Sequence, residues 1–94
     1  MDDKAYPVTE LRDDWPQFYG KIGMRFIFLR IRHGSAWIGT GGSYAEAECK
    51  ADLVTLEDSL AGVSGIDDAI RVLKKNGYRV KSIVVPEHIE ELEA

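Results

Sequence analysis

An α+β domain, with two helices packed on one face of a mostly antiparallel sheet, is the architecture expected of this 94-residue chain. Three features point to it. Residues 24–32 read Met-Arg-Phe-Ile-Phe-Leu-Arg-Ile-Arg, a β-branched and aromatic run that favours a strand. His33-Gly34 and the following Ser-Ala-Trp-Ile-Gly-Thr complete a hairpin, because glycine takes positive φ at little cost. Segments opening at Ser43 and at Ile66 then place apolar residues at helical spacing.

The hairpin is expected to pair Arg32 with Ser35, Arg30 with Trp37 and Leu29 with Ile38. One face then carries Ile27, Leu29, Ile31, Ala36 and Ile38 and reads as core. The other carries Phe26, Phe28, Arg30, Arg32 and Trp37. Ahead of the hairpin, residues 1–20 read as an irregular aromatic segment, punctuated by Pro7 and Pro16. A short helix is expected between Thr9 and Pro16, with Tyr6, Leu11, Trp15, Phe18 and Tyr19 laid onto the sheet.

Gly39-Thr40-Gly41-Gly42 breaks the strand, and Ser43 with Glu46 three residues on makes a capping box. The helix that starts there is expected to bury Ala45, Cys49, Leu53, Leu56 and Leu60 and to end by Gly62–Gly65. Residues 45–53 also alternate, so a third strand competes over 43–53; the abundance of Ala, Glu and Leu favours helix. A second helix opens at Ile66-Asp67-Asp68, with acids suited to its N-terminus, and closes at Asn76-Gly77. Its buried stripe is Ile66, Ala69, Ile70 and Leu73. Residues 78–85 read as a strand, and Pro86-Glu87 as the start of a short final helix.

Composition bounds the class. With 45% hydrophobic, 30% charged and 10% aromatic residues, the chain is expected to fold as one small soluble domain over 1–94. The longest apolar run, Phe26–Leu29, is far short of the ~20 residues of a membrane helix. Met1-Asp2-Asp3-Lys4 lacks the order of a signal peptide, and one cysteine excludes an internal disulfide, so a cytoplasmic location and no membrane association are expected. The net charge is −4, but the charges are sorted. Residues 20–33 and 71–81 hold only basic charges, whereas residues 46–68 hold seven acids against Lys50.

Gly39, Gly41, Ser43, Ala47 and Ala51, behind a strand pair, resemble part of the double-stranded RNA-binding domain over roughly residues 24–60. In that family lysines that meet RNA phosphates follow the serine. Tyr44, Ala45, Glu46 and Glu48 stand here instead, so no RNA-contacting residue is carried over. The same glycine-rich turn has the outline of an anion site at a helix start, without the lysine of a P-loop and with two glutamates in the way.

Nothing in the sequence gathers a catalytic group, a metal site or a cofactor fingerprint. His33 and His88 stand apart from Cys49, and Asp13-Asp14 and Asp67-Asp68 are adjacent pairs whose side chains diverge. The expectation is therefore a non-enzymatic protein-interaction module, an inhibitor or a regulatory subunit, with no cofactor. Phe28, Arg30, Arg32, Trp37 and Tyr44 are the expected partner contacts, since Trp, Tyr and Arg dominate interface hot spots. An acidic helix face bearing Glu46, Lys50, Glu57, Asp52 and Asp58 is a second surface for a protein partner. The alternative is a nucleic-acid binder that stacks bases on Phe26 and Phe28 and uses Arg30, Arg32 and the basic run Arg71–Lys81. A third reading, a small anion-binding enzyme or sensor at Gly39–Ser43, and a homodimer formed through an edge strand complete the set.

Overall fold

A computed structural model describes residues 5–32, 34–56, 65–86 and 88–92. Strands β1 (Tyr6–Asp14), β2 (Gln17–Ile22), β3 (Arg25–Arg32) and β4 (Ser35–Gly41) come first in the chain. Helix α1 (Tyr44–Cys49) and strand β5 (Asp52–Leu56) follow, then helix α2 (Ile66–Lys75) and strands β6 (Tyr78–Val80), β7 (Ser82–Val85) and β8 (His88–Glu91). All eight strands form one sheet in the order β5-β4-β3-β2-β1-β7-β8, with β6 also on β1. Among the described residues, strand exceeds helix by 58% to 21%. The expected mostly antiparallel α+β arrangement is therefore corrected to a β-dominated, mixed sheet in which β6 and β7 run parallel to β1.

The β3–β4 pairing has the expected register, with Arg32 opposite Ser35, Arg30 opposite Trp37 and Leu29 opposite Ile38. The aliphatic face is buried as expected, and Val8, Leu11, Phe18, Val80 and Ile83 from the other strands join its core. α2 covers this face through Ala69, Val72 and Leu73. Its expected limits hold, with Asn76 as the C-cap and Gly77 at φ 91°. The stripe is rotated slightly from expectation: Val72 is buried, while Ile66 and Ile70 pack at its margin.

The two helices do not share a face. Gly39 pairs with Phe28, so its missing side chain points to the face opposite the aliphatic core. A Cβ there would collide with the Ala47 carbonyl oxygen and lie 2.7 Å from the Ala51 backbone nitrogen. A Cβ on Gly41 would lie 2.6 Å from the Glu46 carboxylate. α1 thus sits against strand backbone on the second face, with Ala47 turned inward and fully buried. Ser43 caps it by accepting from the Glu46 N–H at 3.1 Å, and Glu46 accepts in return from the Gly42 N–H at 2.6 Å.

The helix from Ser43 is shorter than expected. It stops at Cys49, which is exposed rather than buried, and residues 52–56 pair with β4. The spacing of Leu53 and Leu56 was helical by coincidence, and the open edge of β4 offered pairing that a longer helix would forgo. Leu60 and the expected helix end at 62–64 lie outside the described residues. The N-terminal segment is likewise ordered strand instead of loop and helix. Its alternation is hidden by a bulge between Thr9 and Arg12, where Glu10 takes φ 53°. The Glu10 N–H donates to Ser82 Oγ at 2.8 Å, so the bulge is bonded to the break between β6 and β7. The expected strand over 78–85 is split there, at Lys81. Beyond Pro86, strand β8 replaces the expected helix, while Glu87 lies outside the described residues.

Gly39→Ala is expected to cost about 1–3 kcal/mol, since the clash is with backbone that cannot rotate away. Urea unfolding would measure it, and a loss below a few tenths would contradict the seating of α1.

Candidate functional site

On the second face, side chains from β1, β2, β3 and β4 meet α1. Tyr19 of β2 lies across from Phe28 with ring centroids 5.4 Å apart, and Tyr44 of α1 closes on Tyr19 at 5.2 Å and on Phe26 at 4.5 Å. This aromatic cluster leaves Phe28 only 4% exposed. The Tyr19 hydroxyl lies 2.9 Å from Gln17 Oε1 and 3.3 Å from Glu48 Oε2, and its single proton is shared between these two acceptors. Burial, and then the Glu48 charge, raise the Tyr19 pKa above the ordinary tyrosine value, and burial also raises that of Tyr44.

α1 is too short to cover the whole face. Toward the β3–β4 turn, it leaves a groove of about 400 Å³ lined by Gln17, Phe28, Arg30, Arg32, Trp37, Glu48 and Ala51. Four of the five expected contact residues therefore meet in one place. The fifth, Tyr44, lies in the aromatic cluster and lines a separate groove with Glu10, Arg12, Asp14, Tyr19 and Lys21.

Arg30 is one of the two arginines that line the first groove. It is flanked by Gln17 on β2 and Trp37 on β4 as cross-strand partners. Its Nε is buried and has no hydrogen-bond acceptor. Such a group carries a desolvation cost of about 1–3 kcal/mol until an acceptor reaches it. Ion pairs among the described residues join Lys21 to Glu10, Lys50 to Glu46 and Arg71 to Asp68, and none uses Arg30 or Arg32. Trp37 is half-buried, and its partner on β5, Leu53, is 50% exposed. The groove thus combines guanidinium groups with an apolar wall.

Gln17, Glu48 and Ala51 were not anticipated. Gln17 becomes visible once residues 17–22 are read as a strand with Phe18, Gly20 and Ile22 on one side and Gln17, Tyr19 and Lys21 on the other. Glu48 and Ala51 become visible only when the helix is ended at Cys49. Trp15 and Phe18, which could have covered the aromatic face, pack elsewhere: Phe18 is buried in the aliphatic core, with Trp15 against its edge at 5.9 Å.

The other surfaces weighed in the sequence fare differently. The glycine-rich turn does not present a free amide at Gly42, because the Glu46 carboxylate takes it. The acidic face is divided: Glu46 lies on α1 and Asp52 on β5, while Glu57 and Asp58 lie outside the described residues. Among the described residues, no group of three or more His, Cys, Asp or Glu side chains is gathered, and no helix is long and apolar enough to cross a membrane. Comparison with protein-family models, curated proteins and solved structures finds no match to this chain.

The bond from Gly42, with Lys50 next in effect, lowers the Glu46 pKa below the ordinary glutamate value. A depressed carboxyl stabilises the fold above its unfolded pKa, and that contribution is lost as pH falls through the folded value. Stability is therefore expected to decline on the acid side of the ordinary glutamate range. Glu46→Gln should flatten that decline relative to the parent in chemical unfolding measured across the range.

Proposed function

We propose that this protein is a non-enzymatic interaction module that receives a segment of a protein partner in the groove beside α1, as an inhibitor or a regulatory subunit. The observation that carries this reading is the arginine-aromatic end of the second face, which α1 leaves uncovered. Trp37, Arg30 and Arg32 supply the residue types that dominate interface energetics, and Leu53, the exposed cross-strand partner of Trp37, offers an apolar surface next to the groove. The depression gives such contacts a concave seat from which water can be excluded. A cytoplasmic setting belongs to the same reading and is supported by the single, unpaired Cys49.

Nucleic-acid binding is the weaker reading. It needs Phe26 and Phe28 free to stack, yet both lie in the aromatic cluster with Tyr19 and Tyr44. It also needs the basic run Arg71–Lys81 to continue the track of Arg30 and Arg32. α2, which carries Arg71, Lys74 and Lys75, packs on the opposite face of the sheet.

A photo-reactive phenylalanine analogue at Leu53 tests the proposal in the native host. It is expected to cross-link one protein partner, whereas the same probe at Met24, 97% exposed at the β2–β3 turn, should not. Trp37→Ala should weaken the adduct by about 2 kcal/mol of binding or more. Adducts sensitive to nuclease, or equal from both positions, would overturn the reading.

A further inference from the structure

We infer that the groove selects an acidic peptide segment, seating a carboxylate on Arg30 and Arg32 with adjoining apolar groups against Trp37 and Leu53. This rests on the proposed interaction role and specifies its ligand chemistry. Arg30 and Arg32 are successive residues on the second face of β3 and both line the groove. A guanidinium is planar, always charged and weakly hydrated, and its donor fork matches a carboxylate in two-point contact. Arg30 and Arg32 take part in none of the ion pairs among the described residues, and Arg30 Nε–H has no acceptor. An incoming carboxylate would supply the countercharge at the guanidinium, and a shift of the Arg30 side chain would bring its buried Nε–H to that acceptor.

Glu48 defines how such a segment lies. It lines the same groove but is engaged by the Tyr19 hydroxyl at 3.3 Å, at the side nearer the aromatic cluster. Its negative charge repels a second acid there. The acidic side chain of the ligand is therefore directed to the Arg30–Arg32 end, toward the β3–β4 turn, and Trp37, with Leu53 beside it on β5, receives what adjoins it. Two arginines against one glutamate leave the groove positive, although the whole chain carries −4. A peptide satisfies this arrangement with one or two carboxylates. A nucleic-acid strand would bring a phosphate at every step past Glu48, without stacking access to Phe28, which is only 4% exposed.

The full chain labelled with ¹⁵N offers a direct readout, because the Nε–H of each arginine and the indole N–H of each tryptophan give their own signals. The probe is hexaglutamate, added at low ionic strength and again near physiological salt, with hexaglutamine and a six-nucleotide oligothymidylate as comparisons. Hexaglutamate is expected to move the Arg30 Nε–H and Trp37 indole signals saturably and to leave that of Arg71 unchanged. Arg30→Gln should weaken the titration roughly tenfold or more, the loss of one charge-assisted pair. Arg32→Gln, at an exposed position, should weaken it roughly threefold or more while leaving the spectrum's dispersion intact. Glu48→Gln should tighten it.

Equal binding of hexaglutamine, or hexaglutamate shifts spread evenly over Arg71 and the other basic residues, would overturn the acid preference. Saturation of the same signals by oligothymidylate at lower concentration would overturn it in favour of nucleic acid. If hexaglutamate leaves Arg30 unmoved while the probe at Leu53 still captures a protein in a Trp37-dependent way, the interaction role stands and its acidic chemistry falls. If both fail, the groove is not the site.

Discussion

The close approach of α1 to the backbone of β4 sets the character of the second face. Gly39 and Gly41 project no side chain, and the space a Cβ would take is filled by the Ala47 carbonyl, Ala51 and Glu46. A helix held this near needs only one small residue at the contact, and Ala47 is that residue. Because α1 has six residues, fewer than two turns at about 3.6 residues per turn, it spans the sheet only where those glycines lie. Phe26 and Phe28 fall beneath or beside it with Tyr19 and Tyr44, and Arg30 and Arg32 fall beyond it. The same strand therefore contributes to a covered aromatic cluster at one end and to an open groove at the other.

The opposite face is governed by ordinary apolar burial. Ile27, Leu29 and Ile31 alternate with the second-face residues along β3, and α2 covers them while carrying the chain back to lie beside β1. That return makes β6 and β7 parallel to β1, since a helix lies between β5 and β6 where a tight turn would have given an antiparallel neighbour. The irregularities of β1 and of β6–β7 fall opposite each other. Glu10 bonds Ser82, and the Lys81 N–H donates to the Val8 carbonyl at 2.7 Å, so neither break leaves these backbone groups without partners. With both faces of β3 occupied by different chemistry, a one-residue slip of its register would put arginines into the aliphatic core.

What could be read from the sequence follows from how local the determinants are. The β3–β4 register was legible because alternation and a two-residue turn fix it within residues 24–41. α2 was legible because acids at its start, lysines at its end and Asn76-Gly77 mark both limits. β1 and β2 were obscured by the prolines and by the bulge at Glu10, which breaks the alternation that would have revealed a strand. β5 was missed because Leu53 and Leu56 repeat at helical spacing, while the interaction that decides their state is pairing with the distant Ser35–Ile38 stretch. β8 has the sequence His-Ile-Glu-Glu, a poor strand former, and owes its state to β7. The groove was legible to the same extent: alternation placed Phe28, Arg30, Arg32 and Trp37 on one face, but Gln17 and Glu48 required β2 and the true end of α1. That Tyr44 falls in the aromatic cluster could not be read, because the helix's reach across the face depends on the glycine contact.

Local and overall charge pull in different directions, and this constrains how the groove can recognise anything. A chain of net −4 offers little long-range attraction to an acidic segment, so steering from a distance cannot supply the selectivity. At physiological salt, charges more than about 8 Å apart are largely screened if exposed to solvent. Selectivity must then arise at contact, where a guanidinium relieved of an unmade hydrogen bond and an indole relieved of water act over a few ångströms. Arg30 suits that regime because it lies on an interior strand, with Gln17 and Trp37 as its cross-strand neighbours, so less freedom is lost when a ligand meets it. Arg32 is more exposed and contributes mainly charge. Recognition by this face therefore depends on the fit around Arg30 more than on the number of basic residues near it.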